Sequence, residues 1–457
     1  MKSSVEPKDL VIVGGGLAGC EAAWQAAELG INVKLYEMRP KKSTGAHRTG
    51  DLAELVCSNS LGSNLPDRAA GLLKNELRHL KSLLIACADA SSLPAGGALA
   101  VDREAFSSCV EAKIESHPKI DVIREEITAI PDPPVIIASG PLTSPALAKA
   151  LQDFTGHEHL YFYDAIAPIV NIDSINMDIA YRANRYGQGG GKEGDYINCP
   201  FNEVQYLYFR EALLSATRIP LKEFEAEIEQ GVDAGGGKYF QGCQPVEVIA
   251  GRGEKSLAFG PMRPAGLPDP KTGRWPYAVV QLRQDNLAGD LYNLVGFQTN
   301  LSFLEQKRVF GLIPGLENAT FERYGQMHRN LYVAGPQLLN DDLSLKGHAG
   351  LYIAGQLAGI EGYAGNIASG LVTGINAARM MLEKAPLIFP RTTMIGALLH
   401  YITHAEIEGF QPMKAMFGIL PKIESNQRLS KKVRYLAYVQ RAEEALEAYI
   451  KAMPLSG

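Results

Sequence analysis

Gly14, Gly16 and Gly19 make a G-x-G-x-x-G run, and Glu37 follows 23 residues after the first glycine. That pattern suits the pyrophosphate of a dinucleotide. The first glycine permits a tight turn, the second lets phosphates approach the backbone, and the third lets a helix pack closely on a strand. Gly15, Leu17 and Ala18 complete the turn, and the helix N-terminus offers N–H groups and a partial positive charge. Glu37 is placed to accept hydrogen bonds from ribose hydroxyls. Six cysteines, at 20, 57, 87, 109, 199 and 243, are the other reactive side chains. None makes a C-x-x-C pair, so no metal site and no disulfide-reductase pair is expected. Cys20, Cys87 and Cys109 fall in Ala-, Leu- or Val-rich helical patterns and read as buried thiols, with Cys199, before Pro200, intermediate. Cys57 precedes the small polar residues Ser58, Asn59 and Ser60, shortly before a helical pattern, whereas Cys243 sits in the turn-like Gly242-Cys243-Gln244-Pro245. A thiolate nucleophile needs an accessible, activated sulfur. Local context alone does not select one of the six.

The elements that must hold these residues are legible nearby. Leu10–Val13 reads as a buried parallel strand, Cys20–Leu29 as a helix closed by Gly30, and Ile31–Tyr36 as a second strand delivering Glu37. Cys57–Ala90 is helical in pattern, Arg103–Ser116 is a helix with Asp102 as N-cap, and Val135–Pro141 is another buried strand, ending in Gly140 and Pro141. From Leu160 to Arg329 the texture changes. Tyr and Phe become frequent, glycines cluster at 189–191 and 235–237, and the strands read longer and more polar. Leu351–Ala354 returns to the buried-strand style before Gly355, Gln356 and Gly359, a second contact suited to the far part of a long cofactor. FAD has such a far part; a simple NAD site needs no second contact. A helix over Ala368–Leu382 and a helical C-terminal region follow. The fold class is therefore α/β. A Rossmann-like FAD-binding domain (1–160 and 330–457, the latter with C-terminal helices) is interrupted by a smaller α+β insertion or substrate domain (161–329).

Apolar residues at 46% and charged residues at 21% of 457 exclude a disordered or fibrous chain. No apolar run is long enough to span a bilayer, and the polar N-terminus is no signal peptide, so a cytoplasmic location without membrane contact is expected. The net charge of −5 means that a nucleic acid must bind a local basic patch. Between Arg252 and Arg283 six basic residues (Arg252, Lys255, Arg263, Lys271, Arg274, Arg283) face two acids, with Phe259, Trp275 and Tyr277 interleaved. Arg263, Arg274, Trp275 and Arg283 are the contacts expected for a splayed RNA loop, or equally for a folate with its glutamate tail and pterin ring. A second patch, Arg428 to Arg441, carries Arg428, Lys431, Lys432, Arg434 and Arg441 without an acid.

Longer motifs carry a resemblance. Glu54-Leu-Val-Cys57-Ser-Asn-Ser60-Leu, Asp195-Tyr-Ile-Asn-Cys199-Pro, Gln241-Gly-Cys243-Gln-Pro-Val-Glu247, Phe259-Gly-Pro-Met-Arg-Pro264 and Tyr277-Ala-Val-Val-Gln-Leu-Arg-Gln-Asp285 resemble the folate- and FAD-dependent tRNA (uracil-5-)-methyltransferases. So do Asn293–Thr299 and Arg323–Arg329, and the resemblance runs from about residue 9 to 440. It implies a GidA-related flavoprotein fold. Its cofactors would be FAD, 5,10-methylenetetrahydrofolate and NADH or NADPH, its partner tRNA, with no obligate protein partner. A carbon from the folate would be placed on C5 of the T-loop uridine of tRNA, and reduced FAD would complete the methyl group. The resemblance selects Cys57 and Cys243 as catalytic. Cys243 is favoured as the nucleophile at C6, and Cys57 as its counterpart near the flavin, the base for the C5 proton. One departure is Gly362–Gly370, where an acidic residue and a smaller side chain are expected in the middle. The same chemistry on ribosomal RNA, FAD-dependent modification of a wobble uridine, and a flavin oxidase without RNA remain as alternatives.

Overall fold

The apolar run Leu10–Val13 is the middle strand of a five-stranded sheet ordered Leu351–Ile353, Val135–Ile137, Leu10–Val13, Val33–Tyr36, Ile120–Ile123. Every pairing in it is parallel. The strands Leu351–Ile353, Val135–Ile137 and Leu10–Val13 are continuously apolar, as in sheets covered on both faces, whereas Val33–Tyr36 and Ile120–Ile123 carry the paired polar residues Lys34 and Asp121. This computed structural model describes residues 8–44, 46–157, 160–187, 194–219, 244–408, 410–424 and 429–453, without the side chains of 160–165 and 327–329. The glycine clusters at 189–191 and 235–237, Cys243 and Arg428 therefore lie outside the described residues.

The helix Leu17–Glu28 follows the glycine turn and packs along a long late helix, Tyr363–Met381. Their approach is set by missing side chains. A Cβ on Gly370 would lie 2.2 Å from the Ala18 carbonyl oxygen, and one on Gly374 would lie 2.4 Å from that of Ala22. Neither obstacle is a side chain that can swing away. Gly370→Ala is therefore expected to force the two backbones apart and to lower unfolding stability by roughly 1–3 kcal/mol. Urea denaturation would read this as a lower midpoint at unchanged slope; an unchanged midpoint would show that the helices yield at no cost.

A second sheet has six antiparallel strands, ordered Tyr181–Arg182, Tyr196–Phe201, Ala278–Gln284, Leu291–Leu294, Ile169–Asn171, Phe321–Arg323. The helices Glu203–Ser215 and Phe303–Phe310 bury Phe209 and Phe310 with its Phe201 and with Phe297, forming a separate aromatic cluster. That cluster runs from Val170 to Phe321, while the first stops at Leu151 and resumes at Leu331. The antiparallel pair Leu160–Ala165 and Met327–Tyr332 stands where the chain leaves and re-enters the first core.

The region around Cys57 departs from expectation. Helix begins only at Ala69 (Ala69–His79, then Leu83–Ala90), and Ser60–Ser63 is instead a strand paired with Ala98–Val101. The serines explain it. Ser58, Ser60 and Ser63 hydroxyls accept from the N–H groups of Ser60, Gly62 and Leu65, satisfying the backbone locally and competing with a helix. Gly62 is also left-handed, at φ +81. The late helix starts at Tyr363 rather than Ala368. At the C-terminal end come the helices Met394–His404 and Lys431–Ala452, with a short 3-10 helix, Phe417–Ile419, among the described residues between them. Asp102 caps its helix as expected, accepting from Ala105 N–H at 2.8 Å. Among the described residues no helix is long and apolar enough to cross a membrane.

Candidate functional site

A cleft of about 1000 Å³ opens at the carboxyl ends of the parallel strands, where Val13, Tyr36 and Ala138 emerge. In open α/β sheets this is where ligands bind. Gly14, Gly16, Leu17 and Ala18 line it, with Glu37, Gly355 and Gln356. The glycines divide the work. Gly14 has φ +109, and a Cβ there would meet the Ala138 carbonyl oxygen at 2.5 Å. A Cβ on Gly19 would lie 1.8 Å from Gly14 O, so Gly19 serves helix–strand packing. A Cβ on Gly16 would meet no protein atom within 4 Å. Gly15 does not line the cleft; its N–H donates to Glu37 Oε2 at 2.9 Å.

Glu37 does more than await a ribose. Its Oε1 accepts from both the backbone N–H and the Nε of Arg39 at 2.9 Å. Burial opposes the charge on Glu37, but the Arg39 and Gly15 donors overcome it and hold the carboxyl below its ordinary range. Gly359 falls outside the cleft. It sits at φ +89, where a Cβ would press on the Phe410 ring at 3.0 Å, so it is a packing glycine and its expected cofactor contact is withdrawn. One atom favours a polar ligand: Asn366 Oδ1, buried in the lining, has no hydrogen-bond partner. A buried polar atom left so costs free energy unless something else satisfies it. With Gly16 giving free space for a pyrophosphate and the N-terminus of the helix Tyr363–Met381 at the far end, these residues fit FAD.

Cys57 is half-buried; it does not itself line the cleft, but its neighbour Val56 and its hydrogen-bond partner Tyr363 do. The Tyr363 hydroxyl accepts from the N–H groups of Cys57 at 2.9 Å and Ser58 at 3.0 Å. Burial, then Cys57, push the Tyr363 hydroxyl pKa upward, so it stays protonated. Three arginines grip the same segment. Arg103 donates to the carbonyls of Leu55 and Cys57 while its guanidinium meets Asp285 at 3.1 and 3.2 Å. Arg323 donates to the Val56 carbonyl at 2.8 Å. Arg283 donates to Asn59 Oδ1 at 3.0 Å and Ser58 Oγ at 3.1 Å. Asn59 reaches back to the carbonyls of Val101 and Gln284. The two cores thus meet at Cys57.

Of the other cysteines, Cys20, Cys87 and Cys199 are buried, and burial drives all three thiols well above the usual range. Cys199, on the strand Tyr196–Phe201, therefore joins the structural group. Arg263, Arg274 and Trp275 are exposed as expected, Trp275 at 60%. Arg283 parts company with them. It is 8% exposed and belongs to the Cys57 segment rather than to a surface loop, because its strand lies inside the sheet. Tyr277 packs against Tyr206, while Arg441 donates to the carbonyls of Pro421 and Lys422. Lys431, Lys432 and Arg434 stay exposed. Sequence reasoning missed Arg39, Arg103, Arg323, Tyr363 and Asn366. The available signal was the motifs themselves: Arg323 opens Arg323–Arg329, and Tyr363 and Asn366 lie in Gly362–Gly370. No group of three or more His, Cys, Asp or Glu that could hold a metal occurs among the described residues.

The family model described as "Glucose inhibited division protein A" matches residues 9–385. The solved structure of GidA from Aquifex aeolicus (form II crystal) superposes with a TM-score of 0.68 at 15% identity, covering 98% of this chain and 74% of that one, so the two share a fold. A methylenetetrahydrofolate–tRNA-(uracil-5-)-methyltransferase TrmFO from Pelotomaculum thermopropionicum is 54% identical over 443 residues, 97% of this chain and 98% of that protein. The protein of the same name from Moorella thermoacetica is 57% identical over 416 residues, 91% of this chain and 92% of its own length. With half the residues shared along nearly the whole of both chains, this chain belongs to the methylenetetrahydrofolate–tRNA-(uracil-5-)-methyltransferase TrmFO family, built on the GidA flavoprotein fold.

Proposed function

We propose that this chain converts the T-loop uridine of tRNA to 5-methyluridine, with Cys57 and Cys243 as the two reacting thiols. It is a folate-dependent methyltransferase of uracil C5, with 5,10-methylenetetrahydrofolate as carbon donor and FAD as cofactor. C5 of uracil is a poor nucleophile until a thiolate adds to C6, which leaves the electron pair in an enolate that attacks the folate methylene. A base then takes the C5 proton, and the electron pair left behind expels the folate nitrogen, giving an exocyclic methylene on a base still bonded at C6 to the thiol, which leaves as the methylene is reduced. FAD, when bound, supplies the two electrons that turn this methylene into a methyl, and NADH or NADPH restores them.

In this scheme Cys243 adds to C6 and Cys57 is the base. The observation that carries it is the position of Cys57, hydrogen-bonded through its N–H to the cleft-lining Tyr363, with three arginines on its segment. Cationic surroundings are what an active thiolate needs. Gly16, Glu37, Gly355 and Gln356 would hold the cofactor. The insertion, 161–329, would receive tRNA between the two parts of the FAD domain, 1–160 and 330–457. Arg263, Arg274 and Trp275 would take phosphates and unstacked bases, since a T-loop base must leave its stack to react.

The test pairs product analysis with covalent trapping. Unmodified tRNA incubated with the wild-type protein, methylenetetrahydrofolate and NAD(P)H should yield 5-methyluridine by nuclease digestion and mass analysis. Cys57→Ala should keep its FAD and lose at least about a hundredfold in rate. With T-arm RNA containing 5-fluorouracil, the covalent adduct should persist in Cys57→Ala and vanish in Cys243→Ala. The opposite outcome would exchange the two roles.

A further inference from the structure

The segment around Cys57 carries more positive charge than its structural partners account for. Arg103 is matched by Asp285, 4% exposed. Among the described residues, neither Arg283 nor Arg323 forms an ion pair with a carboxylate; Arg323 donates to the Val56 carbonyl, and Arg283 to the Ser58 hydroxyl and the Asn59 amide oxygen. Buried unmatched charge is unfavourable unless an anion joins it. Burial, then Arg103 and Arg48, pull the Arg323 pKa down to about 10, and the groups that favour its charge are Tyr363 and Cys57. Cys57 is within electrostatic reach of Arg103 and Arg283 as well.

We infer that Arg323, with Arg283, is a positioning residue that holds the Cys57 sulfur as a thiolate between turnovers. The surrounding elements support this sign of field. The helix Tyr363–Met381 contributes the neutral hydroxyl of Tyr363. The helix Arg103–Glu115 contributes Arg103, whose charge Asp285 offsets. The two strands contribute Arg283, beside Tyr196, and Arg323, beside Arg48. On the Cys57 segment itself, Glu54 is engaged by Arg39 and by the N–H groups of Arg48 and Thr49. Arg283 and Arg323 thus add positive charge within electrostatic reach of the sulfur, and an adjacent cation lowers a thiol pKa by favouring the charged form. The inference deepens the reading of Cys57 as a reacting thiol and rests on it for its catalytic meaning.

The test reads the thiol itself. FAD-loaded protein is treated with iodoacetamide across a pH series. Alkylation is followed by mass spectrometry on the tryptic peptide Thr49–Arg68, in which Cys57 is the sole cysteine. The midpoint of the wild-type profile should fall below the ordinary thiol value of about 8.5. Arg323→Gln keeps a donor for the Val56 carbonyl and removes the charge; it should raise the midpoint by roughly one unit. Arg323→Lys should restore it. Arg283→Gln gives the same reading if Arg323→Gln proves too unstable to purify. Superimposable profiles for wild type and Arg323→Gln, or a wild-type midpoint at the ordinary value, would overturn the inference. So would a Lys variant that fails to rescue at full FAD content. If the midpoint shifts as expected while Cys57→Ala still methylates tRNA, the tuning stands and the catalytic role of Cys57 falls.

Discussion

Purified Gly16→Val protein is expected to be colourless, folded as stably as flavin-free wild type, and without methylating activity. At φ −80 the Gly16 backbone is open to any residue, and a Cβ there would touch nothing within 4 Å. The added isopropyl group therefore costs the empty protein little. It occupies the cleft where phosphates must approach the backbone, so cofactor affinity should fall by two orders of magnitude or more, about 3 kcal/mol. Neighbouring glycines should behave differently. Gly14→Ala sets a side chain at φ +109 and 2.5 Å from the Ala138 carbonyl, so it should lose fold and flavin together. Flavin absorbance per protein and thermal unfolding in the absence of added FAD separate the two cases. A yellow Gly16→Val protein with normal stoichiometry would mean that the turn does not face the cofactor.

Arg103→Met should cost about 3–5 kcal/mol of unfolding stability, because it strands the buried Asp285 carboxylate without its counter-ion. It also removes the donors to the carbonyls of Leu55 and Cys57. The double variant Arg103→Met/Asp285→Leu distinguishes the two losses. Eliminating the stranded charge should recover most of the stability, leaving a residual deficit of roughly 1–3 kcal/mol from the two carbonyls. Denaturant titration of both proteins measures this. Equal stability of single and double variants would show that Asp285 is not the source of the penalty.

Local pattern made the nucleotide half of the site legible. Four apolar residues, a glycine turn, a small-residue helix and an acid at the next strand end are consecutive in the chain. Each choice follows from the backbone beside it, which is why Gly14, Gly16 and Glu37 occupy the expected positions. Gly359 shows the limit. Left-handed glycine and cofactor-facing glycine look alike in sequence, and only the Phe410 ring against it decides which it is. The Cys57 segment misled for another reason. Its small polar residues resemble the entry to a helix, yet their hydroxyls serve their own backbone as a strand.

By itself the sequence determined the parallel sheet, the phosphate turn, the change of texture beyond Leu160 and, through long motifs, the family. All of these reside in contiguous residues or their spacing. Only the tertiary structure decided what surrounds Cys57. Arg103, Arg283, Arg323 and Tyr363 are respectively 46, 226, 266 and 306 residues away in the chain. They come from two helices and two strands spread over both cores, and each could have been an ordinary surface or core residue. Arg283 carries the lesson most plainly. In sequence it closes a basic loop, but strand pairing places it in the interior, so its guanidinium serves the Ser58 hydroxyl and the buried Asn59 instead of solvent. Charge along a chain is a local property, whereas the field at a sulfur is a sum over whatever the fold brings near it.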